Sequence, residues 1–213
     1  MAAVRSFLAA VALTATAVTV GVAVRGEAGA TGQAPSKSRP GTPLSAYDTT
    51  GVVVLRTAFC VRVPGEAVAA ALGGEPDSSS SYTNGEPAEL TGRLKDVSHE
   101  FSCSWVGTDG TVARAWVFAP PVTPARARDL VDEAVTARGC RSLDAAPPFG
   151  SPTAAALCRS GTGLQVSYRG LFGDAWLTCS IAAPASGTER AELTDRTGRW
   201  CVAVARAASD RVG

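Results

Sequence analysis

Apolar and polar positions divide the chain into three stretches. Ser6–Val24 is an uncharged apolar run of Ala, Val, Thr, Leu, Phe, Ser and Gly. Thr31–Ala46 (TGQAPSKSRPGTPLSA) is rich in Pro, Ser and Gly and holds one large apolar side chain, Leu44. Beyond residue 48 the pattern changes every ten to twenty residues, as it does in a folded domain. Val52–Leu55 is a short apolar run of undecided state. Pro64 and Glu66 open a helix over Pro64–Leu72, and Gly73-Gly74 stops it. Glu75–Ser98 is polar, with Ser78–Ser81, Asn84-Gly85 and Pro87, and reads as a mobile loop.

Glu100–Pro120 predicts a hairpin about Asp109-Gly110. A two-residue turn there pairs Cys103 with Trp116 and Phe101 with Phe118, gathering Phe101, Cys103, Trp105, Trp116 and Phe118 on one face. Arg114 then falls opposite Trp105, within reach of a cation–π contact. Thr123 caps a helix that begins at Pro124, runs to Arg138 and stops at Gly139, with an apolar stripe of Ala127, Leu130, Val131, Ala134 and Ala137. Thr153–Arg159 reads as a strand. Leu164–Ala183 reads as a second hairpin about Gly173-Asp174, pairing Tyr168 with Cys179 and Val166 with Ile181. Thr188 caps a last helix to about Ala208, with a stripe of Leu193, Thr197, Trp200, Cys201 and Val204 that Gly198 weakens. The expected fold is α+β: a mainly antiparallel sheet of about five strands, two hairpins plus one strand, carrying about three helices.

Composition narrows the function. Of 213 residues, 46% are hydrophobic and 18% charged, enough apolar material for a core. Lys+Arg is 20 against 19 for Asp+Glu, so no bulk positive charge draws the chain to nucleic acid. Arg5, the apolar run and Ala28-Gly29-Ala30 have the layout of a secretory signal. The same run also fits a retained single membrane anchor. Residues 1–30 are thus a signal peptide or N-terminal anchor, 31–48 a disordered linker, and 49–209 one extracytoplasmic domain.

Six cysteines follow the signal: Cys60, Cys103, Cys140, Cys158, Cys179 and Cys201. Their even number in an exported chain favours disulfides. No Cys-x-x-Cys pair occurs and His99 is the one histidine, so zinc spacing is absent and neither metal nor cofactor is expected. Several connectivities are open to six cysteines, and sequential pairing is preferred. Cys179 on a strand's core face and Cys201 on the stripe of the following helix form a natural bridge. Cys140 lies just past a helix end and Cys158 in the next strand.

The run Cys60-Val61-Arg62-Val63-Pro64-Gly65-Glu66, its continuation to Leu72-Gly73, and the later Cys103-Ser104-Trp105 resemble actinobacterial exported lipoproteins of a domain family of unknown function. The resemblance covers about half the domain and implies a Cys60–Cys103 bridge. It implies no catalytic or binding residues. The chain departs from that family in having no lipidation cysteine after its signal. Through Trp176-x-x-Cys179 the second half faintly resembles mycobacterial extracytoplasmic sensor domains.

Catalytic sets are hard to assemble. A serine hydrolase would have His99 alone as base, and no Gly-x-Ser-x-Gly elbow is present. Asp132-Glu133 and the Glu189/Glu192 pair read as solvated helix faces, and are the carboxylates a secreted hydrolase would have to use. Among the tryptophans, Trp105, Trp116 and Trp200 read as core. Trp176 points away from Cys179 and, with Leu171, Arg169, Ser167, Thr178 and Ser180, lines a candidate recognition face, unless a helix covers it. The expectation is a non-enzymatic, disulfide-stapled domain outside the cytoplasm, secreted or anchored, that binds a small ligand or an envelope protein. The alternatives are a secreted hydrolase and a sensor-type domain.

Overall fold

The computed structural model describes residues 41–91 and 94–209. The signal or anchor at 1–30 and the first part of the linker lie outside the described residues. The last part of the linker is ordered: Leu44–Ala46 is a turn of 3₁₀ helix, and Leu44 is only 4% exposed. The one large apolar side chain of the linker is therefore the one that docks. It fits because Gly198 has no side chain; a Cβ there would lie 3.1 Å from the Leu44 Cβ. The glycine that weakens the last helix is also the seat for the entering chain.

The elements, in order, are α1 (Gly65–Leu72), β1 (Pro76–Tyr82), β2 (Pro87–Thr91), β3 (Leu94–Val97), β4 (Glu100–Gly107), β5 (Val112–Phe118), α2 (Pro124–Thr136), β6 (Cys140–Ser142), β7 (Thr153–Ser160), β8 (Gly163–Phe172), β9 (Ala175–Pro184) and α3 (Arg190–Ala208). Seven strands form one antiparallel sheet in the order β1-β4-β5-β9-β8-β7-β6, and β2 and β3 pair apart from it. The α+β class holds, and the sheet is wider than the five strands the pattern predicts. The added strands come from segments without alternation. Glu75–Ser98 is not a loop: its Pro76–Tyr82 part is an edge strand exposed along nearly its whole length. Backbone hydrogen bonds build such a strand with no apolar face to announce it. Cys140–Ser142 is three residues long, too short to show a period.

The helices start and stop largely as their punctuation predicts. The Thr123 Oγ1 accepts the Arg126 amide at 3.2 Å and Pro124 opens α2. Gly73 ends α1 in the left-handed conformation, at φ 80°. Thr188 does not cap α3; its hydroxyl donates to the Pro184 carbonyl at 2.6 Å, and Glu189 takes the cap position without a side-chain bond.

Register decides which residues face which helix. One sheet face carries Cys103, Ala115, Cys179 and Tyr168 in one row across β4, β5, β9 and β8. Trp105, Ala113, Ile181 and Val166 form the next row. These residues join the main core with Leu193, Trp200, Cys201 and Val204 of α3 and Val68, Ala71 and Leu72 of α1. Trp105 meets Trp200 edge-to-face at 5.4 Å. On the opposite face α2 covers a smaller cluster of Val122, Ala127, Leu130, Leu171 and Trp176. The disulfides are Cys60–Cys103, Cys140–Cys158 and Cys179–Cys201, the sequential set. They tie the segment before α1 to β4, β6 to β7, and β9 to α3, a pattern suited to an oxidising setting.

The first hairpin differs from its expected register by one residue. Asp109-Gly110 belongs to a three-residue loop, not a two-residue turn. Gly110 is left-handed at φ 81°, and the Gly107 amide donates to the Thr111 carbonyl at 2.7 Å. Val106 therefore pairs with Val112, and Cys103 with Ala115. Trp116 moves off the core face, and Arg114 lies opposite Ser104, not Trp105. Its guanidinium sits 5.9 Å from the Trp116 ring.

Candidate functional site

The recognition face expected on β8 and β9 exists as a set of side chains on one side of the sheet, but it is not open. Trp176 is 1% exposed and Leu171 is buried, both beneath α2. Val122 at the foot of α2 donates its amide to the Asp174 carbonyl, which holds the helix over the hairpin tip. Ser167, Thr178 and Ser180 are buried too, and Arg169 is half-buried.

The corrected register adds two residues to this layer. Arg114 pairs with Ser180, which pairs with Ser167; Trp116 pairs with Thr178, which pairs with Arg169. The hydroxyl oxygens of Ser167, Thr178 and Ser180 and the Arg169 Nε are buried without a hydrogen-bond partner. Burial pulls the Arg169 guanidinium below its ordinary pKa, partly offset by the Glu133 carboxylate on α2. On this face the Ser167, Thr178 and Ser180 hydroxyls are buried, while Arg114 at its β5 edge is exposed and Trp116 and Arg169 are half-buried.

The open site is on the other side of the sheet. A cleft of about 530 Å³ runs between α1 and α3. Ala67, Ala70 and Ala71 of α1 face Trp200, Ala203 and Ala207 of α3 along it. Alanines on both helices leave the space that longer side chains would fill. Arg62, Arg196, Arg199 and Arg206 line it together with Glu66 and Glu192. Gly41 and Thr42, where the described chain enters, also line it, and the Gly41 carbonyl accepts from Arg199 Nη1. Several of these arginines are already positioned. Arg62 Nε donates to the Ala207 carbonyl at 2.7 Å, Arg199 Nε pairs with Asp195 at 3.1 Å, and Arg206 lies 5.3 Å from the Tyr47 ring. Arg196 differs: its Nε is buried with no hydrogen-bond partner.

Sequence reasoning missed this cleft, although a signal was present. Arg196, Arg199, Ala203 and Arg206 recur at helical spacing and share one face of α3, beside the apolar stripe. A face of that composition ordinarily reads as solvated. Only the placement of α1 alongside makes it the wall of a cleft.

The groups weighed for catalysis are scattered. His99 is exposed just before β4. Asp132 and Glu133 are exposed on α2, where Glu133 pairs with Arg126 at 2.8 Å. Tyr168 is in the core, where burial, helped by Asp195, pushes its hydroxyl up to about 12 and keeps it protonated. Among the described residues no group of three or more His, Cys, Asp or Glu is placed to hold a metal ion. No described helix is long and apolar enough to cross a membrane. No family model matches the chain, and no curated protein matches it.

Proposed function

We propose that this chain is an exported, non-enzymatic binding domain that works outside the cytoplasm and holds a small ligand between α1 and α3. One observation carries the reading. The cleft has the size of a small-molecule site and combines an apolar floor with a few convergent charged groups. Two disulfides fix its walls: Cys60–Cys103 holds the segment leading into α1, and Cys179–Cys201 pins α3 to β9. A site walled by stapled helices is pre-organised, which lowers the ordering cost of binding. The signal-like leader and the even cysteine count support export. Whether residues 6–24 are cleaved or kept as an anchor, the binding domain is the same.

Native mass spectrometry of the full-length, disulfide-bonded protein tests this reading. A single small molecule per chain is expected, absent from Ala203→Trp, which fills the cleft from α3. Identical spectra for both proteins, with turnover of a substrate that His99→Ala abolishes, would replace the binding reading with an enzymatic one.

A further inference from the structure

We infer that the ligand of the α1–α3 cleft is a long-chain amphiphilic anion, an acyl chain ending in a carboxylate or phosphate. The inference rests on the binding reading above and adds the chemical class. Charge complementarity selects the head group, because four arginines and two glutamates line the cleft. Arg196 is the residue assigned to it. Each of the other rim arginines has a hydrogen bond or a ring contact from the protein, whereas the Arg196 Nε is buried and makes no hydrogen bond. Leaving a buried cationic donor unpaired is costly, and an arriving oxyanion removes that cost with a charge-assisted bond. Asp109 is the carboxylate that acts on Arg196 electrostatically from the β4–β5 loop. Asp109 also accepts from the Thr111 amide and hydroxyl at 2.8 and 2.9 Å, and no hydrogen bond joins it to the Arg196 Nε.

The floor selects the tail. Ala67, Ala70, Ala71, Ala203 and Ala207 present methyl groups, with Trp200 among them. None of these side chains offers a hydrogen bond to a polar ligand body, apart from the indole N–H of Trp200. That N–H is already used, donating to the Arg114 carbonyl at 3.2 Å. A sugar or a peptide would lose its hydration on such a floor without replacement, whereas an alkyl chain gains by its burial.

Calorimetric titration of the full-length, disulfide-bonded protein with palmitate tests the inference. One palmitate per chain is expected. Hexadecanol, which has the tail without the charge, binds at least tenfold more weakly, and acetate, which has the charge without the tail, does not bind measurably. Arg196→Gln weakens palmitate about tenfold and leaves hexadecanol unchanged. Ala203→Trp abolishes both, and an unchanged thermal midpoint shows that the variant is folded. Phosphatidylglycerol vesicles distinguish the source: co-flotation lost in Ala203→Trp assigns a membrane lipid, and palmitate binding without co-flotation assigns a free acid. Equal affinity for palmitate and hexadecanol overturns the chemical class while leaving the cleft as a site. Palmitate binding that Ala203→Trp does not alter overturns the site itself. So does a dimer that Ala203→Trp disperses, or protection of residues 31–40 from proteolysis that the same variant removes. Either would show that another copy or the chain's own linker fills the cleft.

Discussion

The two hairpins, β4–β5 and β8–β9, have similar signals in the sequence and different outcomes. Each has a Gly–Asp pair at its tip, Asp109-Gly110 in one and Gly173-Asp174 in the other. The second closes as a two-residue turn with Phe172 opposite Ala175, and every expected pair along it is found. The first closes as a three-residue loop, and every expected pair is displaced by one. The dipeptide marks where a chain turns, but the loop length sets the register. Thr111 carries the missing information. Its amide and hydroxyl both bond the Asp109 carboxylate, which makes Thr108-Asp109-Gly110 the loop.

Sorting large with large also misleads in the first hairpin. Placing Trp116 and Phe118 beside Phe101, Cys103 and Trp105 makes a tidy bulky face. In the structure that bulky β4 face instead meets Ala113, Ala115 and Val117, all fully buried. The small β5 residues lie where Trp200 of α3 packs in, with its indole bonded to the Arg114 carbonyl. In the second hairpin no such choice arises, because a one-residue slip would set Val166 opposite Ser180 and Tyr168 opposite Thr178, splitting the apolar set that the two-residue turn keeps together.

Substitutions sharpen the contrast, the largest effect first. Trp176→Ala empties the cluster under α2 at the tip of β8–β9 and costs about 3–5 kcal/mol in chemical denaturation. A surface role for Trp176 would instead leave stability unchanged. Replacing Cys179 and Cys201 together by Ala opens a 22-residue separation and costs about 2–4 kcal/mol. Thr178→Val should move the other way, gaining about 1 kcal/mol, because it removes a buried hydroxyl that has no partner. Asp109→Ala costs about 1 kcal/mol and Asp174→Ala less, near 0.5 kcal/mol, since Asp174 offers an exposed pair to Arg56 at 3.2 Å. The difference between the two aspartates is the direct test of which turn depends on its side chain.

Asp109 also sets a pH dependence. Its bonds from Thr111 hold its carboxyl below the usual carboxylate range. Its contribution is therefore complete above that range and is lost as pH falls through the lowered value. Thermal melts should show wild type approaching Asp109→Ala at acid pH, and the two should stay apart at neutral pH.

What could be read from the sequence follows from how each feature is encoded. Thr123-Pro124, Gly73 and Gly173-Asp174 are local punctuation, and they place the start of α2, the end of α1 and β8–β9 correctly, whereas α2 ends at Thr136, two residues before the expected Arg138. The cysteines follow local placement, and all three bridges are sequential. β1 leaves no trace because an exposed edge strand of serines needs only backbone bonds. The cleft leaves little trace because it belongs to neither helix alone. Ala67, Ala70 and Ala71 become a floor only when α3 brings Ala203 and Ala207 opposite them. The expected recognition face fails for the matching reason: whether Trp176 is open depends on where α2 lands, which the strand pattern does not encode.

The heat capacity of palmitate binding is the most direct test of the central claim. Burying an acyl chain on the alanine and Trp200 floor predicts saturable one-to-one binding with a negative heat-capacity change, present in wild type and gone in Ala203→Trp. Titration heats that are the same in both proteins, at every temperature, would contradict the claim that α1 and α3 form the binding site.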